Sequence, residues 1–123
     1  MLYAAAFLVV ATGLAHSILG ERYILMRLFH RTDIPHLFGG PEFTVRTLRF
    51  AWHLTSIAWW GLAAIIVLIA REEASASALL NVIGGICLLS GAVSAAVARF
   101  QHLSWLIFAV VGLLLLSVAY AGL

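Results

Sequence analysis

The sequence predicts an all-α integral membrane protein, a bundle of four transmembrane helices in antiparallel up-down order. Three observations predict it. Of 123 residues, 64% are hydrophobic and 10% are charged, the apolar residues gather in four long runs, and only short polar connections separate the runs. A soluble domain of this length cannot hide so much apolar surface in one core, so lipid is the expected solvent. A crossing takes about 20 apolar residues, and four crossings account for nearly the whole length as a single domain.

The first run spans about residues 2–20, interrupted by Thr12, His16 and Ser17. Its helical pattern continues through Tyr23, Ile24, Met26 and Leu28 towards Arg31 and is expected to stop before Thr32-Asp33-Ile34-Pro35, because proline restricts the residue before it and cannot join a helix interior. The start of the chain lacks the basic segment of a secretory signal, so the first run is read as a retained helix. Gly39-Gly40-Pro41 marks a loop over about 32–45. The second helix is expected over about 49–70, the third over 76–98 and the fourth over 102–123, joined by Arg71-Glu72-Glu73-Ala74-Ser75 and by Arg99-Phe100-Gln101. Such short connections make neighbouring helices antiparallel.

All seven basic residues are arginines. Arg22, Arg27, Arg31, Arg46, Arg49 and Arg99 fall on one side and Arg71 on the other, which places the former side in the cytoplasm and both termini outside it, as for a protein of a bacterial inner membrane. Arginines gathered at helix ends do not form a nucleic-acid footprint, so nucleic acid is not an expected partner. Cys87, the single cysteine, lies in an apolar run and is expected to pack as a small apolar residue.

The chemistry-bearing feature is a set of three histidines at one expected depth. At about 1.5 Å of rise per residue, His16 lies about 6 to 8 Å inside Glu21, His53 about 6 Å inside Arg49, and His102 about 4 to 5 Å inside Arg99. Ionisable side chains in a bilayer are costly and usually face a site. Arg46, Arg49, His53, Ser56 and Trp60 follow steps of three and four and share one helix face, expected to point inward. His16 aligns with Thr12, Gly20 and Tyr23, whereas Glu21 is turned about 140° from it and is the weaker ligand candidate.

Neutral imidazole is the commonest biological metal ligand, and haem iron in a bundle takes one from each of two facing helices. His16, His53 and His102 are therefore expected to hold haem b or, alternatively, a non-haem iron, copper or zinc, with His36 of the loop as a further metal ligand and His30 as a solvated residue. Arg46, Arg49 and Arg99, just outside the histidine level, suit the carboxylates of a haem. In outline the chain resembles the small four-helix membrane cytochromes of the b type, in architecture and histidine count only, and no residue role is carried over from them.

Trp52 and Trp105 fit an interfacial aromatic belt, and Trp59 and Trp60 lie deeper. Gly84, Cys87, Gly91, Ser94, Ala95 and Ala98 form a small-residue stripe for close packing inside the bundle or between two copies, and a homodimer is the expected assembly. These features point first to a membrane redox protein, an electron carrier or oxidoreductase whose electron partner the sequence does not identify. The alternative is a small transporter or a subunit of a larger membrane complex whose histidines handle protons or substrate. A purely structural module is the third.

Overall fold

The computed structural model describes residues 1–122. It is helical, with four helices long and apolar enough to cross a membrane: α1 (Leu2–Leu28), α2 (Glu42–Ala70), α3 (Ala76–Ala98) and α4 (Ser104–Ala121). The bounds of α3 are those expected. Helix α2 begins seven residues before the expected 49, because Pro41 precedes its first turn and Glu42 lies within it, where proline is tolerated and an acidic residue meets the positive end of the helix dipole. Helix α4 begins at Ser104, so His102 stands in the turn before it and not inside it. Helix α1 continues past Gly20 as expected but ends at Leu28; the backbone N–H groups of His30 and Arg31 then reach back three residues, closing it with tight turns.

Helix α1 has one irregularity. Over Glu21–Leu25 it widens into a π turn, and the Met26 N–H reaches back five residues to the Glu21 carbonyl. In a regular α-helix, steps of four drift by about 40° around the axis, and one wider turn offsets such a step. Ser17, Glu21, Leu25 and Phe29 thereby stay turned towards α2: Leu25 is buried, and the Arg49 guanidinium lies 5.0 Å from the centre of the Phe29 ring.

Packing follows chain order, α1 on α2, α2 on α3 and α3 on α4. The outer helices α1 and α4 are the least enclosed, and residues such as Phe7, Leu8, Ile18, Leu113 and Leu114 leave more than half of their surface open. The small-residue stripe of α3 is used within the chain. A Cβ on Gly84 would meet Leu116 and the Gly112 carbonyl, and one on Gly91 would meet the Trp105 carbonyl at 3.1 Å. Ser77 adds a hydrogen bond to the Ala119 carbonyl at 2.9 Å.

The turns reverse the chain through left-handed residues. Arg99 (φ 49°) and Phe100 (φ 61°) form the α3–α4 turn, and Glu72 (φ 60°) lies in the α2–α3 turn. Ser75 caps α3 by accepting the Ala78 N–H at 3.1 Å.

Candidate functional site

A connected polar chain lies between α1 and α2, within otherwise apolar helices. Ser17 and Ser56 are its centre. Ser17 sits one step of four before Glu21 on α1, and Ser56 one step of three after His53 on α2, so the two helix faces present matching polar residues where they meet. The Ser17 hydroxyl donates to Ser56 Oγ at 2.8 Å, Nδ1 of His53 lies 2.9 Å from Ser17 Oγ, and Nδ1 of His16 lies 3.2 Å from Ser56 Oγ. At the other end Nε2 of His53 lies 3.3 Å from Glu21 Oε2, and Arg49 grips both carboxylate oxygens at 2.9 and 3.2 Å. Ser56 is fully buried, whereas Glu21 and Arg49 keep about a third of their side chains open.

The direction of the central bond assigns the remaining protons. Ser17 uses its hydrogen on Ser56, so it accepts from Nδ1–H of His53; donation from Ser56 to Nδ1 of His16 is the arrangement that also gives the buried Ser56 hydrogen a partner. Thr55 Oγ1 also lies 3.4 Å from Nδ1 of His16, but its hydrogen goes to the Trp52 carbonyl at 2.7 Å. Neutral His16 then carries its proton on Nε2. Between Nε2 of His53 and Glu21 lies one further proton, since a bare nitrogen and a carboxylate do not hydrogen-bond.

His16 is held by aromatic rings. Its imidazole stacks on Trp52 with centres 4.5 Å apart and planes 6° from parallel, and Trp59 meets it edge-on at 5.2 Å. The Trp52 indole N–H donates to the backbone carbonyl of His16 at 3.0 Å, which fixes the stack. Gly20 is required here, because a Cβ at that position would collide with the Trp52 ring, and Gly13 leaves room for Trp60 in the same way.

The histidines expected to share one cofactor stand in two networks. His16 and His53 join the chain just described. His102 belongs to another: its Nδ1 takes the Ser104 N–H at 3.2 Å and lies 2.8 Å from Ser104 Oγ, which is 2.6 Å from the fully buried Ser94. Its ring packs against Phe43 and Phe50, with centres 5.9 and 6.4 Å away, and the residue closes the first turn of α4. The common depth expected from the helix boundaries is therefore replaced by a position in the turn. His36 is exposed in the loop, and Nδ1 of His30 engages the Met26 carbonyl.

These positions bear on the expected haem or metal. His53 has both ring nitrogens engaged, so it becomes a ligand only by leaving Ser17 or Glu21. Among the described residues no three His, Cys, Asp or Glu side chains converge as a metal-ligand group. Of the three arginines expected at haem carboxylates, Arg49 is paired with Glu21, and Arg99 ends α3 in a left-handed conformation. Arg46 reaches Gln101 at 2.9 Å.

Glu21 is the member of this network that helical phase from His16 disfavoured. Measured from Ser17, four positions earlier, it shares a face with the residue that contacts His53, and that spacing is the signal that finds it. In the loop, Arg31 holds Asp33 in a bidentate pair at 2.6 and 2.7 Å, which lowers the Asp33 carboxyl below its ordinary range and raises Arg31. No family model, curated protein or solved structure matches the chain.

Proposed function

We propose that the chain is an integral membrane protein, a small transporter or a subunit of a larger membrane complex, in which the path from Glu21 through His53, Ser17 and Ser56 to His16 carries a proton. One observation carries this proposal: an unbroken run of hydrogen-bonding groups, none more than 3.3 Å from the next, joins the Glu21–Arg49 ion pair to the His16 imidazole, deeper in the apolar helix. Transfer along it balances. His16 gives its Nε2 proton to an acceptor, Nδ1 takes the Ser56 proton, Ser56 takes that of Ser17, and Ser17 takes Nδ1–H of His53. His53 is left with a single proton on Nε2 facing the Glu21 carboxylate, and each hydroxyl ends with one hydrogen, received from its neighbour and pointing the opposite way.

Four spans and six arginines against one support insertion in up-down order, with the Glu21 end in the cytoplasm and both termini outside, in a bacterial inner membrane. Glu21 is then the proton entry, and Arg49 keeps it in place. The uncovered sides of α1 and α4 are faces that lipid or a second copy would cover in the expected homodimer.

The redox alternative places haem b, or a non-haem iron, copper or zinc, on the same histidines, and it requires His53 to leave its present partners. The test has two parts. In lipid nanodiscs, protonation of His16 after a pH jump, followed by its infrared ring bands, should slow by more than about tenfold when Ser17→Ala removes the central hydroxyl, a barrier increase of about 1.4 kcal/mol. An unchanged rate rejects the path. The purified protein should be colourless and free of stoichiometric metal; a Soret band with about one iron per chain would instead favour the haem alternative.

A further inference from the structure

Two arginines gather on one ring where α1 leaves the apolar part of its course. Arg22 stands just past Gly20, the end of the apolar run, and Arg27 lies about one turn further out. Their guanidiniums are 5.7 and 6.0 Å from the centre of the Tyr23 ring. In a regular α-helix, residues five apart point about 140° away from each other, but the π turn over Glu21–Leu25 takes up the extra residue and brings Arg22 and Arg27 towards one face. Helical side chains also lean towards the start of their helix, which carries the head of Arg27 back to the lipid boundary.

Neither guanidinium has a carboxylate or other hydrogen-bond acceptor among the described residues. The acids nearest in sequence are taken, Glu21 by Arg49 and His53, and Asp33 by Arg31. Arg22, Tyr23 and Arg27 are all exposed. The ring holds each cation through its π electrons and uses none of its N–H donors, so both planar forks stay available to an anion.

We infer that Arg22 and Arg27, held on Tyr23, bind the phosphate of an anionic phospholipid in the cytoplasmic leaflet. Guanidiniums meet phosphate oxygens in charge-assisted, bidentate bonds, which a carboxylate partner within the chain would have used up. Position selects lipid phosphate over free phosphate. The pair stands at headgroup level, and Leu19 and Ile24, exposed members of an open apolar groove between α1 and α2, flank Tyr23, so the acyl chains tethered to the phosphate continue into lipid along α1. The inference rests on membrane insertion with the Glu21 end in the cytoplasm, and not on movement of a proton along the hydrogen-bonded path.

The test uses the full chain in micelles containing equal amounts of phosphatidylglycerol and phosphatidylcholine, with the lipids kept by each chain counted by native mass spectrometry. The chain should keep one phosphatidylglycerol in preference to phosphatidylcholine. Arg22→Gln and Arg27→Gln should each weaken that binding at least about tenfold, as the loss of hydrogen bonds to a charged group does. Tyr23→Ala leaves both charges and removes the ring that gathers them, and it should weaken binding as well. Arg99→Gln removes the same charge from the α3–α4 turn at the same end of the molecule and should change binding less than about twofold, whereas diffuse attraction to anionic lipid would make it equal to Arg22→Gln. An equal loss in the Arg99→Gln protein, equal retention of the two lipids, or displacement of the lipid by millimolar inorganic phosphate would overturn the inference. None of the substituted residues lies on the path from Glu21 to His16, so a chain that keeps phosphatidylglycerol but shows no effect of Ser17→Ala on proton transfer would reject the path and keep the lipid site.

Discussion

At the scale of single residues, two hydroxyls hold the site together. Ser56 is fully buried and is the one group that meets both Ser17 and His16. Ser56→Ala leaves the Ser17 hydrogen and Nδ1 of His16 without partners, and a lost buried partner costs about 1 to 3 kcal/mol. Reversible unfolding in mixed detergent should show a loss in that range. Gly20→Ala should also destabilise, by about 1 to 3 kcal/mol, because the new methyl must displace the Trp52 ring that carries the His16 stack. The Arg31–Asp33 pair makes a separate pH prediction. Asp33 titrates below its ordinary range because of Arg31, so whatever the pair contributes to loop order is present above the ordinary carboxylate value and is lost as pH falls through the lowered one. Arg31→Gln should raise the Asp33 carboxyl carbon titration back towards the ordinary carboxylate range.

At the scale of elements, apolar runs and charge breaks located all four helices, because length and hydropathy alone decide which segments can span. The bounds of α3 were legible from polar residues at both ends. The start of α2 was not: the lipid criterion ends at Arg49, whereas backbone hydrogen bonding continues to the signal at Pro41-Glu42. The π turn at Glu21–Leu25 leaves no mark in composition, yet it keeps Glu21, Leu25 and Phe29 on one face. Periodicity found the inward face of α2, since Arg49, His53, Ser56 and Trp60 all meet α1, whereas Arg46, on the same face, reaches Gln101 of the α3–α4 turn. On α1 the aligned residues Thr12, His16, Gly20 and Tyr23 line the open groove instead, and the face that meets His53 is that of Ser17 and Glu21. Turn strain offers a further prediction. Glu72 is exposed with φ 60°, a conformation glycine adopts freely, so Glu72→Gly should stabilise the protein by about 0.5 to 1 kcal/mol in thermal unfolding.

At the scale of the whole molecule, three histidines looked equivalent in sequence because depth was measured from charged residues, which mark the lipid boundary and not the helix start. His102 precedes α4 and joins Ser94 and Ser104, leaving His16 and His53 as the pair that shares a network. The α3 stripe likewise has its partner within the chain. Gly91→Leu should therefore disrupt α3–α4 packing and lower stability, while Gly85→Leu, into open space, should leave the chain folded; detergent-solubilised size and unfolding together separate the two outcomes. The central claim is that Glu21 and His16 are coupled through two serines. Its most direct test is the ¹⁵N tautomer signature of His16, recorded with Glu21 intact and as Glu21→Gln, each with Ser17 present or as Ser17→Ala. Coupling through the path predicts that Glu21→Gln changes the Nδ1–H to Nε2–H ratio of His16 when Ser17 is present and has no effect once Ser17→Ala is made. A His16 signal indifferent to Glu21→Gln with Ser17 in place would contradict it.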